Sequence, residues 1–159
     1  MKIRVGFGYD VHQIKEGRLC RLGGVEIPSS VGPDGHSDAD VLLHAICDAI
    51  LGAAGLRDIG FHFPNTSEDF KDADSRALLQ SVVELASEKG YSVGNIDATL
   101  VSEVPKIAPH ISSMKQTIAG LCAIDTDEVG VKATTSEKVG FVGRKEGMEA
   151  YAVVLLEKV

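Results

Sequence analysis

From residue 3 the chain alternates: Ile3, Val5, Phe7 and Tyr9 are interleaved with Arg4, Gly6, Gly8 and Asp10. A period of two is the signature of a half-buried strand, and it puts Asp10 and His12 on the face that carries Gly6 and Gly8, where the missing Cβ atoms let a neighbour approach closely. Residues 18–22 and 25–27 flank Gly23-Gly24, a dipeptide that tolerates the positive φ angles of a tight hairpin turn, and Pro28 ends that pairing. Ser29 to Gly35 reads as a small polar loop. The period then changes. From Asp38 to Ala54 the spacing predicts a helix that Ser37 or Asp38 caps and Gly55 stops. Leu42, Leu43, Ala45, Ile46, Ala49, Ile50 and Ala53 cover most of its faces, so it is expected to be buried. Asp40, His44 and Asp48 fall on one stripe at four-residue steps, and a buried ionisable stripe needs partners.

The segment LRDIGFHFPNTS is too broken for a helix. A second amphipathic helix is predicted from Asp74-Ser75 to Lys89, with Leu78, Leu79, Val82, Leu85 and Ala86 inward and Gly90 at its stop. Strand character returns at 93–101, Pro109 opens a short helix through Ala119, and 129–134 is a strand. Residues 134–147, TTSEKVGFVGRKEG, form a glycine-rich turn before a closing strand at 148–157. No repeat, linker or low-complexity tract divides residues 1–159, which are expected to form one catalytic domain. The order implies an α/β (α+β) fold, a two-layer sandwich with helices on one face of a mixed β-sheet. The other face needs a cover, and self-association is a common solution.

Charge narrows the partners. With 23 acidic against 16 basic residues and a net charge of −7, neither nucleic acid nor an anionic membrane is an expected partner. A small phosphorylated ligand stays compatible, because a few lysines, helix N-termini or metal ions can reverse the field inside a cleft. Cys20, Cys47 and Cys122 make no CxxC pair and sit among apolar neighbours, as free thiols of a reducing compartment do. No targeting or membrane-spanning pattern is read, so the expected location is the cytoplasm.

Asp10, His12 and His44 are oxygen and nitrogen donors of the kind divalent zinc accepts where one coordination position stays open. Taken singly, a histidine is more often a hydrogen-bonded structural residue than a ligand. With Asp40 and Asp48 as outer acceptors on the same stripe, both readings stand. A second cluster, Lys132-Ala133-Thr134-Thr135-Ser136-Glu137-Lys138, suits phosphate: hydroxyls and amides hold oxygens, lysine neutralises charge, and Glu137 can hold a hard cation. A solvated, hydroxyl-rich turn is its alternative reading. His62 and His110 read as structural.

The motifs GYDVH at 8–12, GHSDADVLLHAICDAILGAAGLRDIG at 35–60, FKDADS at 70–75, Pro105-Lys106, and VKATTSEKVGFVGR at 131–144 stand in one order along the chain. Over essentially its whole length the chain resembles the 2-C-methyl-D-erythritol 2,4-cyclodiphosphate synthases of the non-mevalonate isoprenoid pathway. That resemblance implies one zinc ion per subunit on Asp10, His12 and His44, and a second divalent cation, magnesium or manganese, on Glu137. It implies that His36 and Thr135 position the diphosphate and stabilise its transition state. Asp58 and Gly60 are implied to face the erythritol or ribose end of the substrate, with Ser37, Phe63, Asn65, Thr66 and Ser67 also at substrate-binding positions. Ser102, Pro105, Lys106, Ile107 and Ala108, with Thr134, Thr135, Ser136 and Glu137, are the implied cytidine diphosphate pocket. Asp10 and His12 are also carried over as substrate contacts. Phe141 and Arg144 fall near a threefold axial cavity, a place for an isoprenoid diphosphate in a homotrimer with sites between subunits. The chain departs from the family at Phe63-Pro64-Asn65-Thr66-Ser67, where members usually read FPDTD, losing two carboxylates.

The implied reaction is intramolecular: the substrate's 2-phosphate attacks the β-phosphorus and CMP leaves, so no protein nucleophile is needed. Two other activities fit the same residues, a zinc phosphohydrolase and a non-catalytic nucleotide-binding trimer.

Overall fold

The computed structural model describes residues 2–67 and 72–159. A long first strand, β1 (Ile3–Glu16), pairs on one side with the short edge strand β4 (Val31–Asp34) and on the other with β7 (Gly147–Lys158). Beyond β7 lie β5 (Tyr91–Val101), antiparallel to it, and β6 (Val129–Thr134), parallel to β5. The order β4-β1-β7-β5-β6 makes a mixed five-stranded sheet. β2 (Cys20–Leu22) and β3 (Val25–Ile27) form a separate hairpin whose two-residue turn holds Gly23 at φ 60° and Gly24 at φ 74°. Both glycines are in the left-handed region that such a turn requires.

Three helices, α1 (Val41–Ala54), α3 (Ser75–Glu88) and α4 (Ile111–Cys122), cover one face of the sheet. Single helical turns, α2 (Ile59–His62) and α5 (Gly140–Gly143), sit in the loops. α1 is the central helix: twelve of its fourteen residues are buried. It lies so close to β1 that a Cβ on Gly8 would stand 1.9 Å from the Ala45 carbonyl oxygen, and one on Gly6 would stand 1.8 Å from that of Ala49. The match is periodic. A four-residue helix step of about 6 Å nearly equals a two-residue strand step of about 6.7 Å, so an antiparallel helix stays in register with every second strand residue. One strand step beyond Gly8 comes Asp10, and His44, the residue before Ala45 in the helix, reaches its carboxylate.

The structure departs from the pattern-based expectations at three places. Val31–Asp34 is an edge strand and not a loop, because it pairs with Gln13 to Glu16 along the edge of β1 opposite β7. The segment after α1 holds one helical turn, nucleated by the Asp58 carboxylate accepting from Phe61 N. The cap of α1 is Asp40, which accepts from Leu43 N and also from Gly23 N and Gly24 N, tying the hairpin to the helix start. Phe70 and Lys71 of the FKDADS segment lie outside the described residues.

The far face of the sheet is open in the single chain. Ile3, Val5, Phe7, Tyr9 and Val11 of β1 and Val153 of β7 are exposed there, an apolar stripe along two central strands.

Candidate active site

The glycine-permitted contact of α1 with β1 brings three donors of the sequence reading together. His12 Nε2 lies 2.8 Å from Asp10 Oδ2, His44 Nδ1 lies 3.1 Å from the same oxygen, and the two nitrogens are 3.3 Å apart. The donors suit a divalent metal. Zinc–nitrogen bonds of about 2.0–2.1 Å in a tetrahedron place neighbouring ligand atoms about 3.3 Å apart, close to what the chain holds ready.

The outer atoms of the two rings strengthen that fit. His12 Nδ1 donates to the Asp34 carbonyl at 3.0 Å, and a carbonyl can only accept, so in the neutral ring Nε2 carries the lone pair. His44 Nε2 lies 2.8 Å from Ser75 Oγ and 3.3 Å from Ser37 Oγ, leaving Nδ1 to face the cluster. Among the described residues, Asp10, His12 and His44 form the group able to hold a metal ion. Burial by itself would raise the Asp10 carboxyl, but hydrogen bonds and charge from His12 and His44 bring it down to about 2. For His12 burial acts to lower the pKa, and the Asp10 hydrogen bond and charge outweigh it, so the imidazole is raised above its ordinary value.

The outer partners expected on the helix stripe are not the ones found. Asp40 is spent on the hairpin and helix cap, and Asp48 accepts from Ile59 N at 2.7 Å. That second bond has its own use, since it pins the α2 turn beside the cluster. A cavity of about 140 Å³ results, lined by Asp10, His12, His36, Ser37, His44, Ile59, Gly60, Phe63, Asn65 and Leu78. His36 Nε2 lies 3.4 Å from the Ser67 carbonyl, so the loop through Thr66 and Ser67 is fastened over the histidine side of the cavity. Asp58 stands exposed at its rim, its Oδ2 3.2 Å from where a Gly60 Cβ would be. His62 donates to or accepts nothing in the cavity; its Nε2 meets the Leu56 carbonyl at 2.7 Å.

The second expected cluster forms a separate feature. Ser102 N donates to the Thr134 carbonyl at 3.0 Å, joining the ends of β5 and β6. Ser102 Oγ donates to the Val104 carbonyl ahead of Pro105 and Lys106, while Ile107 is buried and Ala108 begins a 3-10 turn. The Glu103 carboxylate, which pattern reading passed over, accepts from Ser136 N and Lys138 N at 3.2 Å each and so shapes the 134–138 loop. Thr135 Oγ1 accepts from Glu137 N, and Glu137 itself projects from an exposed left-handed backbone at φ 54°.

The two clusters are not one site within the chain. Val11, Glu149, Val101 and Thr134 form one row across the sheet, so three strand spacings, about 14 Å, separate the metal-binding end of β1 from the 134–137 loop. Phe141 lies with Val11, Gln13 and Gly147 at the same end of the sheet, and Arg144 pairs with Glu146 at 2.8 Å.

The chain is similar to known proteins over nearly its whole length. The model of the YgbB family matches residues 3–157. The chain belongs to this family. Its YgbB relatives include the 2-C-methyl-D-erythritol 2,4-cyclodiphosphate synthase of Methylobacillus flagellatus, 64% identical over 156 residues and 98% of each chain. Among solved structures, the bifunctional IspDF of Campylobacter jejuni is 43% identical with a TM-score of 0.96; this chain is covered over 99% of its length and spans 43% of that longer one. IspF of Plasmodium falciparum, solved as a CDP complex, is 38% identical with a TM-score of 0.86 over 98% of this chain and 96% of that one. The mixed sheet with helices on one face is the fold of these YgbB-family synthases.

Proposed function

We propose that this chain converts 4-diphosphocytidyl-2-C-methyl-D-erythritol 2-phosphate to 2-C-methyl-D-erythritol 2,4-cyclodiphosphate and CMP. The observation that carries the reading is the convergence of Asp10, His12 and His44 at one wall of a cavity, in a chain whose relatives bear that synthase name over nearly their full length. An oxygen of the 2-phosphate forms a bond to the β-phosphorus as the bond from that phosphorus to the α-phosphate oxygen breaks, and the electron pair leaves with CMP. The chain needs no nucleophile of its own, and its residues act by position and charge.

Asp10, His12 and His44 would hold one zinc ion per subunit, and Glu137 would hold magnesium or manganese. Bound there, divalent cations supply positive charge to phosphate oxygens. His36, fixed against the Ser67 carbonyl, presents its ring to the diphosphate, and Thr135 presents its hydroxyl. Ser37, Asp58, Gly60, Phe63, Asn65, Thr66 and Ser67 enclose the erythritol end. The turn at Ser102 and Pro105 to Ala108, with Thr134 to Glu137, takes the cytidine diphosphate.

Because the two halves stand about 14 Å apart in one chain, a complete site unites the metal cluster of one subunit with the nucleotide loop of another. The apolar sheet face supplies the surface for a homotrimer, one catalytic domain per chain. Phe141 and Arg144 then stand near an axial cavity suited to an isoprenoid diphosphate. Among the described residues no helix is long and apolar enough to cross a membrane, and we place the enzyme in the cytoplasm.

Phosphorus NMR of the chain incubated with substrate tests the reading. A cyclic diphosphate with equimolar CMP is expected. A linear phosphate product would make the chain a phosphohydrolase, and bound substrate without turnover would make it a nucleotide-binding protein.

A further inference from the structure

Ser75 is the first residue of α3, fully buried, 31 positions beyond the histidine it touches. A serine at a core position of a helix start needs a reason, and three hydrogen bonds supply one. Its hydroxyl donates to Asp38 Oδ1, and its backbone N–H donates to Asp38 Oδ2 at 3.0 Å. A hydroxyl has one proton. With that proton committed to the carboxylate, Ser75 Oγ can offer His44 Nε2 only a lone pair, at 2.8 Å. A neutral His44 that satisfies this lone pair carries its proton on Nε2, against the pull of Asp10 Oδ2 on Nδ1 at 3.1 Å, and then offers Nδ1 as a lone pair beside Asp10 and His12.

The Asp38 carboxylate is held in turn. Arg21 of β2 stands 3.5 Å from Oδ2, Asp40 N lies 3.3 Å from Oδ1, and Asp38 N donates to the Ala73 carbonyl just ahead of α3. The chain Arg21, Asp38, Ser75, His44 thus links the hairpin and the start of α3 to the imidazole. The two middle members act through His44, since neither Asp38 nor Ser75 lines the cavity.

We propose that Ser75 and Asp38 are positioning residues that set the tautomer and ring orientation of His44, and so decide that Nδ1 is the atom offered to the metal. The inference deepens the metal-site reading and rests on it for its effect on zinc; the tautomer itself is a property of the metal-free chain. Outer partners of metal-binding histidines typically govern affinity by about 10- to 100-fold.

Two variants separate this role from simple packing. Ser75→Ala removes the hydroxyl, and zinc affinity, read by competition with a chelating dye, is expected to fall about 10- to 100-fold with the circular dichroism spectrum unchanged. Asp38→Asn makes a sharper prediction. The backbone N–H of Ser75 needs an acceptor, so the amide oxygen takes that place and the amide nitrogen faces Ser75 Oγ. The hydroxyl proton is then turned toward His44 Nε2, and the tautomer reverses. Long-range nitrogen-15 NMR of the zinc-free chain in mildly alkaline buffer reads it: Nε2–H in the parent chain, Nδ1–H in Asp38→Asn.

An Nδ1–H tautomer in the zinc-free parent chain overturns the proposal without any variant. So does Ser75→Ala binding zinc within twofold of the parent, or a folded Asp38→Asn that keeps Nε2–H. A parent chain that shows Nε2–H but binds no zinc would sink the metal-site reading and leave the positioning chain standing.

Discussion

At the scale of single residues, the molecule is organised by where lone pairs and protons can go. His12 and His44 each have one nitrogen committed outward, and their other nitrogens meet Asp10. Removing one of three ligands leaves too few to hold the metal against water, so His44→Ala is expected to weaken zinc by more than the about 100-fold that outer partners command. Elemental analysis of the folded variant checks it, and full occupancy would refute the ligand assignment. Glu137→Gln should keep the zinc and lose the response to added magnesium or manganese, read from CMP release during a metal titration.

The same residues predict the pH dependence of the zinc-free chain. Asp10 titrates at about 2 instead of 3.8, so its contribution to stability is complete above 3.8 and is lost as pH falls toward 2. His12 is raised above 6.5, so its contribution is complete below 6.5 and is lost as pH rises through the folded value. Urea midpoints across pH should show both limbs, and His12→Asn should abolish the alkaline one. An alkaline limb that persists in that variant would belong to another group.

At the scale of elements, the closeness of α1 and β1 decides whether the site exists. Gly8→Ala would drive a Cβ into the Ala45 backbone carbonyl, which cannot give way without moving the helix. The expected cost is about 1–3 kcal/mol, with weaker zinc binding because His44 moves with α1. Gly52→Ala is the control: it lies in α1, its nearest neighbour outside that helix would be Phe7 O at 4.0 Å, and it should gain about 0.5–1 kcal/mol. Urea denaturation of both variants checks the contrast, and equal effects would mean that the close contact is not what limits the helix position.

At the scale of the whole molecule, the sheet row from Val11 to Thr134 separates the metal cluster from the nucleotide loop, and the apolar stripe from Ile3 to Val11 lies open. Both facts point to a site completed by a second chain. A chain disabled only at Asp10 and a chain disabled only at Thr135 should therefore complement each other. In the proposed trimer, some interfaces of a mixed assembly would pair the intact metal cluster of one with the intact loop of its neighbour. Co-expression of the two inactive variants should restore CMP release. Activity no greater than that of either variant alone, with mixing confirmed by mass spectrometry, would place each site within one chain.

Much of this was legible along the chain because it is periodic or local. Alternation exposes β1, a 3.6-residue repeat exposes α1 and α3, and paired glycines expose the hairpin, whereas the spacing of Asp10, His12 and His44 leaves a metal site and a structural role both open and the family resemblance chooses between them. Tertiary structure alone decided which polar groups meet. Asp40 lies four residues from His44, yet it turns to the hairpin amides, while Ser75, 31 residues away, reaches the ring. Glu103 shapes the 134–138 loop across a gap of more than thirty residues, and β4 forms because its backbone meets the free edge of β1 at Gln13 to Glu16. The physical reason is common to all three. Apolar burial is non-directional and so leaves a repeating mark in the order of residues, whereas a hydrogen bond depends on the direction of one donor toward one acceptor, which the packed chain sets.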